Sequence, residues 1–272
     1  MTDNILEVRG LRKTFVTRDA AGRGEHVAVD DVSFDVPRGS CLAIVGESGS
    51  GKTTTARIVA GLETADTGTV VLDGETTVVR RRGRAARPVQ MVFQDPFGSL
   101  DPRQRVGAAI DELLRIHHQL GKAERRARVL ELLGQVGLDE RHAGEFPGNL
   151  SGGQRQRVAI ARALSMEPKL LILDEAVSAL DVSVQAQVLN LLIDIRRQTG
   201  ITYLFISHDL AVVRQISDHC AVMRNGRLVE EGGTAEVLGS PREEYTRTLI
   251  DAVPRPGWVP GRRTGELTPS WE

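Results

Sequence analysis

Cysteine is almost absent from this 272-residue chain: Cys41 and Cys220 stand far apart, with neither a CxxC pair nor a histidine cluster beside either. Such spacing favours two buried, reduced thiols in a cytosolic setting over a disulfide framework or a zinc-ligand set. Long apolar runs are missing as well. No stretch approaches the roughly 20 residues that span a bilayer, and the opening "MTDNILEVRG" lacks the apolar core of a secretory leader. Any membrane role has to run through a partner. Nor is there an excess of charge of one sign. With 35 basic against 36 acidic residues, the chain has no net basic balance to favour binding along a phosphate backbone, and no nucleic-acid partner is expected. What remains, at 40% hydrophobic and 26% charged residues, describes a soluble globular chain long enough for a large core or two lobes.

The patterning gives that core an α/β character. Within residues 5–45, "VSFDV" alternates Val32, Phe34 and Val36 against Ser33 and Asp35, as a half-buried strand does. "CLAIVG" is apolar throughout, as suits a strand covered on both faces, and the glycine-rich turn and "TTTARIVAGL" after it predict strand, loop and helix. "TGTVVLDGE" predicts another strand ending in an Asp73-Gly74 turn. From about 104 to 165 the period becomes helical, with Val129, Leu132, Leu133 and Val136 on one stripe and Arg125, Arg126 and Arg128 off it. Parallel-strand signals return in "KLLILDE" and "ITYLFISHD", separated by the helical "SVQAQVLNLLIDIRRQ". "AVMRNGRLVEEG" reads as a hairpin about Asn225-Gly226. The block "RRRGRAAR" (80–87) reads as a solvated loop. Residues 254–272 hold four prolines and both tryptophans, and the expectation there is a poorly ordered tail.

"GESGSGKT" (46–53) matches GxxxxGK[ST] in its required context, a buried strand before and a helix after. Gly46, Gly49 and Gly51 let backbone N–H groups converge on an anion at a helix N-terminus. Lys52 can then reach the β and γ phosphates, and Thr53 offers a hydroxyl to Mg²⁺. "LLILDE" sets Asp174 and Glu175 at the C-terminal end of a strand, where open α/β sheets bind ligands. Alone, such a pair would as readily cap a helix. Beside a phosphate loop, Asp174 reads as a Mg²⁺ ligand and Glu175 as the residue that orients or deprotonates the attacking water. His208, at the end of "LFISHD", could bond the γ phosphate and position Glu175 or the water, leaving two readings, Glu175 as the base alone or Glu175 sharing that work with His208.

The set "GESGSGKT", "VFQDP", "LSGGQRQR", "LLILDE", "SALD" and "ISHD", in this order, resembles an ATP-binding cassette ATPase over nearly the whole chain. The resemblance implies an α/β, P-loop NTPase, RecA-like core with an antiparallel β-subdomain and an inserted α-helical subdomain, spanning residues 1–253. It implies ATP and Mg²⁺ as ligands, with Gly46, Glu47, Ser48, Gly49, Ser50, Gly51, Lys52, Thr53 and Thr54 around the nucleotide. Gln94 corresponds to the Q-loop glutamine, catalytic and a Mg²⁺ ligand with Thr53 and Asp174. Ser151, Gly152, Gly153 and Gln154 form the signature, Asp181 is the D-loop aspartate, and His208 is the switch histidine. Phe15 matches the aromatic that stacks on adenine, or is simply core. In this family two cassettes bind head to tail, and the signature of one caps the ATP of the other. Ser151 to Gly153 open a helix, presenting free N–H groups and a hydroxyl to an anion; the bland alternative is a plain helix cap, at which two glycines are wasteful.

Among cassette proteins, translation-type factors carry two cassettes in one chain, and DNA-repair ATPases split theirs with a long heptad arm; this chain has one cassette and no such heptads. A degenerate binding module would lack Lys52 or Glu175, and both are present. The family likeness therefore implies a transport ATPase at the cytoplasmic face of the membrane, with a second cassette subunit, two transmembrane permease subunits and, indirectly, a solute-binding protein as partners. "VQMVFQDPFGSLDPR", "DEAVSALDVSVQAQVLNLL" and the C-terminal segment of about 233–253 resemble the ATPase subunits of dipeptide, oligopeptide and nickel importers. Where those usually read His-Pro-Tyr-Thr, this chain has Glu243, Glu244, Tyr245 and Thr246. It also lacks the C-terminal cysteine set with which some relatives hold an iron–sulfur cluster. Residues 97–100, with Phe97 and Leu100 around Gly98-Ser99, are the expected permease contact.

Overall fold

The computed structural model describes residues 3–19, 22–76, 88–95, 98 and 100–252. The Arg-rich block at 80–87 and the tail at 254–272 lie outside them.

Two sheets organise the chain. The first is antiparallel, in the order β2-β1-β4-β5, from β1 (Asn4–Asp19), β2 (Gly22–Pro37), β4 (Thr67–Leu72) and β5 (Glu75–Thr76). Its β4–β5 turn falls at Asp73 (φ 50°) and Gly74 (φ 77°), two successive left-handed residues whose twist matches that of the flanking strands. The second sheet runs β10-β9-β3-β8-β7-β6. Here β3 (Cys41–Val45), β6 (Val89–Val92), β7 (Leu170–Asp174), β8 (Thr202–Ser207) and β9 (His219–Arg224) are parallel, and β10 (Arg227–Gly233) closes the edge antiparallel to β9. The β9–β10 hairpin turns at Asn225 (φ 49°) and Gly226 (φ 82°), as expected. The short β6 was not among the expected strands.

The all-apolar strands are buried on both faces, and successive residues divide between two cores. Ala43, Val45, Leu171, Leu173, Tyr203 and Phe205 face a layer of helices. Leu42, Ile44, Leu170, Ile172, Leu204 and Ile206 face the antiparallel sheet and α1 (Lys52–Val59). This period of two, apolar on both sides, is why these segments form central strands and not helices. Cys41 and Cys220 are buried free thiols within the first core. Desolvation pushes both up, Cys220 to about 12, which keeps them protonated and unreactive.

The expected helical insertion forms α2 (Val106–His117), α3 (Lys122–Gln135), two 3₁₀ turns (Glu140–Gly144 and Pro147–Asn149) and α4 (Gly152–Leu164). The Val129, Leu132, Leu133 and Val136 stripe is buried in it. The remaining helices are α5 (Val182–Thr199), α6 (Leu210–Ile216), α7 (Thr234–Gly239) and α8 (Glu244–Asp251). Among the described residues no helix is long and apolar enough to cross a membrane.

Candidate functional site: a phosphate loop facing two carboxylates

Parallel strands end together, and four of them deliver the site. The loop of residues 46–51 follows β3, Gln94 follows β6, Asp174 ends β7 and is followed by Glu175, and His208 follows β8. The loop's glycines are obligatory where the backbone crowds. Gly46 sits at φ 152° and a Cβ there would lie 2.1 Å from the Met223 carbonyl oxygen; Gly51 sits at φ 106° and a Cβ would lie 2.2 Å from that of Ala28. No other residue type fits either position without displacing backbone. Lys52 is buried, and its Nζ donates to the carbonyl oxygens of Gly46 (2.9 Å) and Glu47 (2.7 Å), so the ammonium is held against the loop. Burial holds its pKa below the usual lysine range, while the carboxylates of Glu175, Asp174 and Glu47 work the other way.

Thr53 Oγ1 donates to Asp174 Oδ1 across 3.1 Å, bringing the loop's hydroxyl and the β7 carboxylate together. Burial raises the Asp174 pKa, with the Thr53 bond opposing. The ionised carboxylate is therefore a cost to the folded chain, present above the folded-state pKa and absent below the unfolded one. Asp174→Asn keeps the acceptor for Thr53 and removes the charge. In nucleotide-free, metal-free buffer at pH 8 it is expected to melt about 2 °C higher than wild type, with the gain shrinking toward the carboxylate range, while hydrolysis is lost. A lower melting temperature would show that the carboxylate is not penalised.

Glu175 occupies the left-handed region at φ 49°, a conformation that costs a residue with a Cβ on the order of 1 kcal/mol and that clusters at functional sites. Its N–H donates to the Ile206 carbonyl (3.0 Å), and its own carbonyl accepts from Ser178 N (3.1 Å) and Ser178 Oγ (2.9 Å). The side chain is thereby turned to within 3.3 Å of His208 Nδ1, through Oε1. Gln94 is exposed beyond the end of β6. Phe15 is 36% exposed on β1, and the Lys13 ammonium lies 5.1 Å from its ring centroid, so it is not core.

The signature stands apart, at the start of α4. Ser151 Oγ accepts from Gln154 N (3.3 Å) and Gln154 Oε1 accepts from Ser151 N (2.9 Å), a reciprocal capping box. Gly153 also has a packing reason: a Cβ would come within 2.3 Å of Val184 Cγ1 on α5, so its glycine is not wasted on the cap. Asp181 caps α5 through Val184 N (2.9 Å) and takes the Ser183 hydroxyl (2.7 Å); that hydroxyl, first, holds its carboxyl below the usual range. The basic residues of "RQR" are anchors: Arg155 donates to the Leu150 carbonyl (2.5 Å) and Arg157 to that of Val136 (3.0 Å).

One expectation is overturned at a single residue. Leu100 is 4% exposed and packs in the helical core, so it is no surface for a permease; Phe97 and Ser99 lie outside the described residues. One residue was missed: Tyr245 on α8 has its hydroxyl 3.4 Å from Glu47 N in the phosphate loop, with the Arg224 guanidinium 4.6 Å from its ring centroid. Nothing local in "EEYT" announces a contact with the loop.

A family model described as ABC transporter matches residues 29–178. The chain is 47% identical over 261 residues to the oligopeptide transport ATP-binding protein OppF of Bacillus subtilis, covering 94% of this chain and 84% of that protein. It is 49% identical over 258 residues to the glutathione import ATP-binding protein GsiA of Salmonella typhimurium, covering 92% of this chain but only 41% of that longer protein. Among solved structures, cbiO1 of Clostridium perfringens, part of the transporter complex cbiONQ, superposes with a TM-score of 0.76 at 30% identity, over 88% of this chain and 92% of that one. The ATP-binding cassette MJ0796, as a dimer in a post-hydrolysis state bound to ADP and phosphate, superposes with a TM-score of 0.74 at 28% identity, over 84% and 98%. With its phosphate loop, paired carboxylates and capped signature helix in one α/β frame, the chain belongs to the ABC transporter family, as an ATP-binding cassette ATPase.

Proposed function

We propose that this chain is the ATP-hydrolysing subunit of a peptide importer, working at the cytoplasmic face of the membrane as one of two cassettes beneath two permease subunits that receive solute from a binding protein. The observation that carries the reading is the 47% identity to an oligopeptide transport subunit across 94% of the chain. The glutathione relatives agree with it, because glutathione is itself a short peptide.

The loop of residues 46–54 binds the ATP phosphates, with Lys52 neutralising the β and γ groups and Phe15 covering the base. Thr53, Asp174 and Gln94 are hard oxygen donors that suit Mg²⁺, and the direct Thr53–Asp174 bond supports grouping two of them. If bound by these residues, the ion would supply charge neutralisation at the phosphates. Glu175 accepts the proton of the attacking water, and His208 holds Glu175 and the γ phosphate in register. Ser151, Gly152, Gly153 and Gln154 close on the nucleotide held by the opposite cassette, and Asp181 lies at that same junction.

The test is purification of the tagged chain with its membrane partners, and uptake by cells of a labelled tripeptide, glutathione and nickel. Lys52→Ala, which removes the phosphate's charge partner, is expected to abolish peptide uptake and to leave nickel uptake unchanged. Loss of nickel uptake with intact peptide uptake would overturn the peptide assignment.

A further inference from the structure

The signature's capping box does not end at Gln154. Gln154 Nε2 lies 3.2 Å from His142 Nε2, and His142 Nδ1 lies 3.1 Å from the carbonyl oxygen of Asp139. His142 is 8% exposed, in the 3₁₀ turn Glu140–Gly144 that packs against α2 and α3. The proton assignments follow one from another. The Ser151 N–H lies 2.9 Å from Gln154 Oε1, which accepts from it, and the amide's NH₂ then faces His142. That NH₂ needs an acceptor in turn, so His142 Nε2 must be bare and Nδ1 must carry the hydrogen. The Asp139 carbonyl is placed to receive it. The result is a continuous relay from a backbone carbonyl in the helical insertion to the N–H of the signature serine.

We infer that His142 is a positioning residue for the signature: its bare Nε2 fixes the amide of Gln154, and through it the N-cap geometry of Ser151. Without that acceptor, only the Ser151 N–H selects the orientation of the half-buried Gln154 amide, and the flipped orientation, which sets NH₂ against that N–H, is less strongly disfavoured. A neighbouring cassette's phosphate would then meet a signature whose hydroxyl and N–H groups are no longer held in one arrangement. His142 touches no substrate and acts through Gln154. The inference rests on the reading that the signature serves the opposite cassette's ATP.

The full chain, with its partner cassette if hydrolysis requires one, would be assayed against ATP concentration. ATP affinity of the isolated chain and melting temperature would be measured for each variant. His142→Leu keeps bulk and removes the acceptor; kcat is expected to fall about tenfold, with isolated-chain ATP affinity within about twofold of wild type. His142→Gln, whose Oε1 can accept the same N–H, is expected to recover kcat to within about threefold of wild type. In a Gln154→Ala background, His142→Leu should lower kcat no further. Wild-type kcat in His142→Leu, or equal losses in the Leu and Gln variants, would overturn the inference. A readout independent of any variant's folding is nitrogen NMR of the wild-type histidine rings: the Nδ1–H tautomer at His142 supports the relay, and the Nε2–H tautomer refutes it. Ser151→Asp separates the two levels. If that variant hydrolyses normally, the trans reading fails; if it is inactive while His142→Leu is fully active, the positioning role alone fails.

Discussion

Glu175→Gln is expected to lower ATP hydrolysis by on the order of a hundredfold or more, the scale of general-base losses, while ATP remains bound. The change is nearly isosteric. Gln can hold the backbone bond to Ile206 and keep an oxygen near His208 Nδ1, so the positions of residue 175 and its neighbours should survive. What disappears is the negative charge and nearly all basicity. A residue that merely ended β7 would not need the left-handed φ of 49° that it adopts here, nor two hydrogen bonds from Ser178 to fix its carbonyl. Because a carboxylate that repels the γ phosphate is also gone, the ATP-bound pair of cassettes should persist. The variant with ATP is expected to elute from size exclusion as a dimer, and wild type with ADP as a monomer. Dimerisation only in a mixture with a second subunit would identify a heterologous partner. Hydrolysis near the wild-type rate would remove Glu175 from the chemistry.

Much of this site was legible in the sequence because its signals are local. The phosphate loop declares itself by three glycines at fixed offsets, and the structure gives two of them their reason in backbone clashes that any Cβ would create. The central strands were readable because burial on both faces demands unbroken apolar runs. Other features depend on partners distant in sequence and leave no local trace. The short β6, whose Val89 to Val92 pair with Leu170 to Leu173, is a strand because β7 lies beside it, not because of its own pattern. Gly153 is explained by Val184 on another helix, and Leu100, apolar beside Gly98 and Ser99, is claimed by the helical core and not by a permease. The contacts of His142 with Gln154 and of Tyr245 with Glu47 are of the same kind, joining a motif to a residue that no motif contains.

Ser151→Asp is expected to abolish hydrolysis and leave both the fold and the isolated chain's ATP affinity intact. The structure makes this substitution a cleaner probe than a bulky one. Ser151 Oγ caps α4 by accepting from Gln154 N, so a residue that cannot accept would cost about 1 kcal/mol of helix stability and blur the result. Aspartate caps as well as serine, and its charge is favourable at a helix N-terminus, so the melting temperature should be at least that of wild type. Toward a γ phosphate, however, the same carboxylate is repulsive at close range. If the signature serves the nucleotide of the opposite cassette, only the paired state suffers. ATP binding measured on the isolated chain should match wild type, while the ATP-dependent dimer formed by Glu175→Gln should no longer form once Ser151→Asp is added. A matching loss of ATP affinity in the isolated chain would instead place the signature over its own phosphate loop. Undiminished hydrolysis would leave Ser151 as a helix cap alone.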